Sequence, residues 1–131
     1  MAKLRHILCV DDDPDIRFII AQALEFSLGA DVNAVDSAQG AFDYLDTLAA
    51  GALPDLVLLD VTMPGTDGYA ACERLRADDR YQAIPILFLT ALVRDADRQR
   101  ARAVGANGFL AKPFDPVSIG DDIDRALKAA W

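Results

Sequence analysis

The feature that most constrains the fold is a short apolar run that ends on a carboxylate, Leu56-Val-Leu-Leu-Asp60. Pro54 precedes the run and Pro64-Gly65 follows it, so the run has the length of a strand rather than of a helix. A strand that is apolar on both sides is typical of a parallel sheet whose two faces are covered. Ligands of such sheets collect outside the carboxyl ends of the strands, which makes Asp60 a candidate functional residue. The alternative for Asp60 alone is a loop aspartate that caps or turns.

Four further strands are predicted, and they alternate with amphipathic segments of helical periodicity. The predicted strands run from Leu4 to Val10, Asp31 to Val35, Asp55 to Leu59, Ile84 to Leu89 and Asn107 to Ala111. The strict alternation predicts one α/β domain over residues 1–131, a doubly wound five-stranded parallel sheet with five helices. The strands richest in apolar residues, the first, third and fourth, belong inside the sheet, which gives the flavodoxin-like order 2-1-3-4-5.

The helices are predicted from capping residues and from apolar side chains at three- and four-residue spacing. The first runs from Pro14, after the cap Asp13, to near Gly29, with Ile16, Ile19, Ile20, Ala23 and Leu24 as its apolar stripe. The second follows Ser37 and stops at Gly51, the third, capped by Asp67, runs from Gly68 to Arg76, and the fourth runs from Arg94 to Val104. The fifth follows Asp115 and Pro116, with Ile119, Ile123, Ala126, Leu127 and Ala130 as its apolar face. In the fourth helix only Ala96, Ala103 and Val104 look like anchors, which predicts low local stability.

Composition excludes several classes of protein. Thirteen basic and 21 acidic residues give a net charge of −8, which opposes direct binding to nucleic acid or to an anionic membrane. No apolar run is long enough for a membrane span or a signal peptide. Cys9 and Cys72 have no CxxC spacing, and His6 is the only histidine, so neither a disulfide framework nor a zinc site is indicated. We expect a cytoplasmic protein, with His6 on the surface before the first strand.

Polar residues follow four of the predicted strands. Asp11 and Asp12 follow the first strand, Asp60 the third, Thr90 the fourth and Lys112 the fifth. Three carboxylates within a few ångströms repel one another strongly, so the group needs a cation. Ligation by oxygen alone points to Mg²⁺, and a lysine and a hydroxyl opposite the metal would complete a clamp for a phosphoryl group. An aspartate can itself accept that group as an acyl phosphate.

The motifs VDDDP, LVLLDVTMPGTDG, FLTA and AKPF occur in this order. With them the sequence closely resembles the receiver domain of two-component response regulators, of the single-domain chemotaxis type, over nearly the whole chain. The resemblance implies a phosphorylation-activated switch of a phosphorelay, supplied by a histidine kinase or a histidine phosphotransfer protein. It implies no enzyme beyond the protein's own phosphorylation and dephosphorylation.

The resemblance also implies roles for individual residues. Asp60 is the phosphoacceptor, Lys112 contacts the phosphoryl group, and Thr90 is the switch hydroxyl. Mg²⁺ is held by Asp11, Asp12, Asp60 and the backbone carbonyl of Thr62. Leu92 and Thr62 resemble positions that tune acyl phosphate lifetime, and a cis peptide bond is expected between Lys112 and Pro113.

The output side is implied in the same way. Phe109 falls at the aromatic switch position, where it lacks the hydroxyl of a tyrosine; the alternative is a plain core phenylalanine. The fourth helix, fifth strand and fifth helix form the face for a downstream protein target or for a self-dimer. No DNA-binding helix-turn-helix or enzymatic output domain follows in the given sequence, so we expect output through protein contact or through a part of the protein that is not given.

Three alternatives remain from the sequence. A receiver-like adaptor or dimerisation module would work without phosphorylation, and would have no need of the complete acidic set. A phosphatase with an aspartyl-phosphate usually carries a second aspartate two residues after the nucleophile, where this chain has Thr62. An FMN-binding electron carrier would need a phosphate loop rich in Ser, Thr and Gly after the first strand, where this chain has aspartates.

Overall fold

The computed structural model describes residues 4–63, 67–91, 94–112 and 114–129, and these form a five-stranded parallel sheet covered by helices. The strands are β1 His6–Val10, β2 Asp31–Val35, β3 Leu56–Asp60, β4 Ile86–Thr90 and β5 Gly108–Ala111. The helices are α1 Pro14–Leu28, α2 Ala38–Asp46, α3 Gly68–Ala77, α4 Asp95–Ala103 and α5 Ile119–Lys128, with a 3₁₀ turn at Ala50–Ala52. The sheet order is β2-β1-β3-β4-β5, which confirms the predicted fold class and strand order.

The inner strands are apolar on both sides because each face of the sheet packs against helices. Ile7, Cys9, Leu56, Leu58, Leu87 and Leu89 pack in one cluster with residues of α1 and α5. Leu8, Val10, Val57, Leu59, Ile86 and Phe88 pack in the other with residues of α2 and α3. Every residue of β3 is buried, whereas no residue of β2 is, as expected for a central and an edge strand.

Side-chain caps start three helices directly after the strands and loops that lead into them. The carboxylate of Asp13 accepts the N–H of Asp15 at the start of α1. Ser37 caps α2, and Asp67 accepts the N–H of Ala70 at 2.8 Å in α3. These three predicted caps are confirmed, and their short connections fix the loops at the carboxyl edge of the sheet.

Several predicted boundaries were wrong. α2 ends at Asp46 rather than at Gly51, because the N–H and the hydroxyl of Thr47 both donate to the carbonyl of Tyr44 and close the last turn. α5 begins after Ser118; Asp115 instead accepts the N–H of Val117 in the turn before it.

The strand bounds also differ by one or two residues from the prediction. β1 begins at His6 rather than at Leu4, and β3 is shifted by one residue so that it includes Asp60. β4 begins at Ile86 rather than at Ile84. Ile84 belongs to a turn in which its N–H donates to the carbonyl of Tyr81, and Pro85 has no N–H to donate to the sheet.

The predicted anchors of α4 were wrong. Ala96 and Ala103 are exposed and Val104 is half-buried; the buried residue of this helix is Ala101. With one alanine buried, apolar packing contributes little to the stability of α4, as the sequence led us to expect. On α1 and α5, Ile20, Leu24, Ile119 and Ile123 are buried as predicted, but Ile19 is 37% exposed.

Three residues noted in the composition have defined places. His6 is the first residue of β1 rather than a surface residue before it, and its Nε2 lies 2.8 Å from the hydroxyl of Tyr44 and 3.2 Å from the amide nitrogen of Asn33. Cys9 and Cys72 are free and buried, and burial raises the pKa of the Cys9 thiol to about 12 and that of Cys72 to about 11. No described helix has the length and apolarity to cross a membrane. The predictions for Leu92, the Lys112–Pro113 bond and Ala130 lie outside the described residues.

Gly68 sets how closely α3 approaches the end of β3. Its N–H donates to the carbonyl of Val61 at 2.9 Å. A Cβ at this position would overlap the carbonyl oxygen of Asp60 and lie 2.9 Å from Cα of Val61. The first turn of α3 therefore rests directly on the backbone that carries Asp60.

We expect Gly68→Ala to lower the free energy of unfolding by about 2–3 kcal/mol, because backbone atoms cannot yield to the added methyl group. Urea denaturation followed by circular dichroism measures the change. Gly51→Ala is the matched control: a Cβ there meets nothing within 4 Å, and its effect should stay below about 1 kcal/mol. Equal effects of the two substitutions would contradict the close packing of Gly68.

Candidate functional site

The carboxyl ends of four strands bring polar side chains to one edge of the sheet. Asp11 directly follows β1, Asp60 ends β3, Thr90 ends β4 and Lys112 follows β5. The strand register pairs Asp60 with Leu89 and Thr90 with Ala111, so the four positions lie side by side across neighbouring strands. The sequence could predict this convergence because parallel strands all end at the same edge.

Three carboxylates and one ammonium group form the centre of the site. Asp11 is fully buried and Asp60 is 6% exposed, whereas Asp12 is exposed. One carboxylate oxygen from each of the three lies within 4.8 Å of the others. Lys112 places its Nζ 2.8 Å from Oδ2 of Asp11 and 3.4 Å from Oδ1 of Asp60. The lysine thus bridges the two buried carboxylates.

Burial and like charge dominate the electrostatics of the site. Burial, followed by the nearby charge of Asp11, raises the pKa of Asp60 to about 6, although Lys112 and the N–H of Thr62 act in the opposite sense. For Lys112, burial favours the neutral amine, but the hydrogen bond to Asp11 and the charges of the two carboxylates outweigh it and raise the pKa. A further positive charge beside Asp60 would therefore be favourable.

The switch candidates lie next to this centre. The carbonyl of Thr90 accepts the N–H of Lys112 at 2.7 Å. Phe109 is half-buried on β5, and the guanidinium carbon of Arg98 lies 5.1 Å from the centroid of its ring. A cavity of about 10 Å³, room for roughly one water molecule, separates β4 and β5 from α4. Its lining is mostly apolar and comprises Val61, Tyr69, Phe88, Thr90, Asp97, Arg98, Ala101 and Phe109.

Thr62 contributes a backbone group on the other side of Asp60. Its N–H lies 3.4 Å from Oδ1 of Asp60, near the upper limit for a hydrogen bond. The role of its carbonyl as a metal ligand stays a prediction.

Two residues of the site were missed from the sequence. Arg17 donates from Nη1 to the backbone carbonyl of Asp11 at 2.8 Å, and the N–H of Asp13 donates to Oδ1 of Asp11 at 2.9 Å. Asp11 is thereby held by its main chain as well as by its side chain. An arginine in the first turns of a helix carries no sequence signal that separates it from an ordinary surface arginine; the Asp-x-Asp turn at Asp11 was available as a signal.

The donor set of the site fits Mg²⁺. All candidate ligands are oxygens, two of the three carboxylates are buried, and the cluster is exposed to solvent on the side of Asp12. Hard cations of this kind take carboxylate and water oxygens and keep several waters. A divalent cation would also act against the two causes that raise the pKa of Asp60, its burial and the nearby charge of Asp11.

Comparison with known proteins agrees with the fold. The family model of the response regulator receiver domain matches residues 7–124. Response regulator Rre1 of Synechocystis sp. is 40% identical over 119 residues, which cover 91% of this chain and 50% of that protein. The DNA-binding dual master transcriptional regulator RpaA of the same organism is 43% identical over 111 residues, 84% of this chain and 44% of that protein. The chain spans about half the length of these two curated relatives.

A solved structure shows the same fold over nearly its whole length. Chemotaxis protein CheY4 of Vibrio cholerae superimposes with a TM-score of 0.85 at 30% identity, covering 95% of this chain and 99% of that one. A parallel sheet of this order with an acidic cluster and a lysine at its carboxyl edge defines a signalling receiver of the two-component type. The chain belongs to the response regulator receiver domain family, which acts in phosphorylation-activated signalling.

We expect Asp60→Asn to raise the free energy of unfolding in EDTA at pH 7.5 by about 1–3 kcal/mol, because it removes a buried negative charge beside Asp11. The pKa of Asp60 is about 6 in the folded protein, above its unfolded value, so the folded state binds a proton more tightly. The penalty for ionised Asp60 is therefore small at pH 4, grows as the pH rises from about 4 to about 6, and stays constant at higher pH.

The measurement is urea denaturation in EDTA between pH 4 and 8. Asp36→Asn is the control, since Asp36 is exposed in the connection between β2 and α2, and this variant should not show the stabilisation expected of Asp60→Asn. An Asp60→Asn variant that is less stable than the wild type at pH 7.5 would contradict the electrostatic account.

Proposed function

We propose that Asp60 accepts a phosphoryl group from a phosphohistidine of a histidine kinase or a histidine phosphotransfer protein, and that residues 1–131 act as one receiver domain switched by this modification. The observation that carries the proposal is the pair of buried carboxylates, Asp11 and Asp60, bridged by the ammonium group of Lys112. A structural role alone gives no reason to bury two like charges together.

The proposed step uses the carboxylate of Asp60 as the nucleophile. One of its oxygens attacks the phosphorus atom, a P–O bond forms, and the P–N bond to the imidazole breaks while the imidazole nitrogen recovers a proton. Lys112 already lies 3.4 Å from Oδ1 of Asp60. Its positive charge offsets the negative charge on the phosphoryl oxygens during transfer.

The carboxylates of Asp11, Asp12 and Asp60 and the carbonyl of Thr62 would hold Mg²⁺. When bound, the ion supplies positive charge next to the phosphoryl oxygens. The chain's own part is to keep the ligands in place: Arg17 and the N–H of Asp13 hold Asp11 in position.

Thr90 and Phe109 would carry the change to the surface. The hydroxyl of Thr90 would engage the phosphoryl group, and the ring of Phe109 would turn inward toward the cavity that both residues line. The face formed by α4, β5 and α5 would then bind a downstream protein or a second copy of the chain. The sparse burial of α4 supports a segment with two arrangements of similar energy.

Intact mass after incubation with acetyl phosphate and Mg²⁺ tests the phosphoacceptor. We expect the wild type and Asp36→Asn to gain one phosphoryl group and Asp60→Asn to gain none, because the amide is not a nucleophile for this transfer. Addition to Asp60→Asn would place the acceptor elsewhere. No addition to any of the three would favour an adaptor or dimerisation module that works without phosphorylation.

The rate of the same reaction tests Lys112. We expect Lys112→Met to slow phosphorylation about 100-fold, because one charge that stabilises the transferring group is lost. Lys128→Met, on the exposed part of α5, should react at the wild-type rate. Circular dichroism shows whether each variant is folded. A folded Lys112→Met variant with an unchanged rate would remove the lysine from the proposed chemistry.

A further inference from the structure

Arg100 attaches α4 to the first turn of α3. Its guanidinium carbon lies 4.0 Å from the centroid of the Tyr69 ring, and its Nη2 lies 3.8 Å from Oδ2 of Asp67. A guanidinium group over an aromatic face is attracted by the negative charge of that face. Because Ala101 is the buried residue of α4, this contact and that of Arg98 with the Phe109 ring add to what holds the helix in place.

Both partners of Arg100 are fixed. The ring of Tyr69 is 6% exposed and packs edge-on against Phe88 of β4, with centroids 5.1 Å apart. Asp67 caps α3 by accepting the N–H of Ala70 at 2.8 Å. A movement of the first turn of α3 therefore moves Tyr69 and Asp67, the two contacts of Arg100, together.

The first turn of α3 also packs against the backbone of Asp60, the candidate phosphoacceptor. Gly68 lies between Asp67 and Tyr69, bonds to the carbonyl of Val61, and leaves no room for a side chain against the carbonyl of Asp60. Contact is thus continuous from the backbone of Asp60, through Gly68, to Tyr69 and Arg100. This route reaches α4 through the first turn of α3, and it meets the one through Thr90 and Phe109 at the cavity that Tyr69 also lines.

We propose that Arg100 is a positioning residue that couples α4 to the occupancy of Asp60, and that its contact with Tyr69 and Asp67 favours the phosphoryl-free arrangement. The inference rests on the proposed function of Asp60. A phosphoryl group adds volume and charge beside the backbone that supports Gly68. The contact of Arg100 depends on its distance to the ring, so a small shift of the turn weakens it.

Coupling of this kind is reciprocal. If phosphoryl occupancy weakens the contact of Arg100, then loss of the contact favours phosphoryl occupancy. A contact with a purely structural role would instead stabilise the phosphoryl-free and the phosphoryl-occupied protein equally, and would leave the affinity for a phosphoryl group unchanged.

The test is calorimetric titration of beryllofluoride, which mimics a phosphoryl group on a carboxylate, in saturating Mg²⁺. We expect Arg100→Gln to lower the Kd about threefold, since one exposed cation–aromatic contact is removed. Arg100→Lys, which keeps the cation, should stay close to the wild type. Arg102→Gln, an exposed arginine of the same helix, is the matched control and should not change the Kd.

Amide hydrogen exchange of residues 94–104 gives the second readout. In the absence of beryllofluoride, exchange should be faster in Arg100→Gln than in Arg102→Gln, and the change on adding beryllofluoride should be smaller. An unchanged or higher Kd for Arg100→Gln, with normal binding by the wild type, overturns the inference alone. Failure of the wild type to bind at Asp60 overturns the proposed function and this inference with it.

Discussion

The burial of Asp11 and Asp60 side by side is the constraint on which the structure depends. Two like charges a few ångströms apart cost several kcal/mol at an effective protein dielectric of about 20, and Lys112 offsets only part of this, since the pKa of Asp60 remains raised. The fold supplies what keeps them there: three inner strands apolar on both sides, which end together at one edge, and a fifth strand that delivers the lysine. A divalent cation bound at this edge would offset part of this cost.

The sheet and the centre of the site could be predicted from the sequence because they depend on short-range patterns. Four consecutive apolar residues before Asp60 indicate a central strand, and strands of one parallel sheet must end at the same edge. Caps such as Asp13 and Asp67 are equally local, since each side chain bonds two or three residues ahead. The order of the strands then required only their relative apolar content.

What could not be predicted depends on contacts between residues far apart in the chain. A helix as polar as α4 has no apolar stripe, so the burial of Ala101 rather than Ala96 or Ala103 could not be recognised. Arg17 and Arg100 have long flexible side chains whose partners are decided by packing, not by spacing. The last turn of α2 is closed by the N–H and the hydroxyl of Thr47 on the carbonyl of Tyr44, and the pattern of apolar residues reports neither bond.

The attachments of α4 explain why this segment can serve as the moving part of a switch. A two-state element needs arrangements that differ by only a few kcal/mol, because a ligand can shift an equilibrium no further than its difference in affinity for the two states. A helix anchored by buried leucines would lose too much packing energy when it moved. A helix held by one alanine and by exposed arginines over the rings of Tyr69 and Phe109 loses contacts worth about 0.5–1 kcal/mol each, and each can be remade in a neighbouring position. Under the proposed function, the polar composition of α4 is therefore what allows the helix to shift, and the buried sheet beneath it is the fixed frame for that shift.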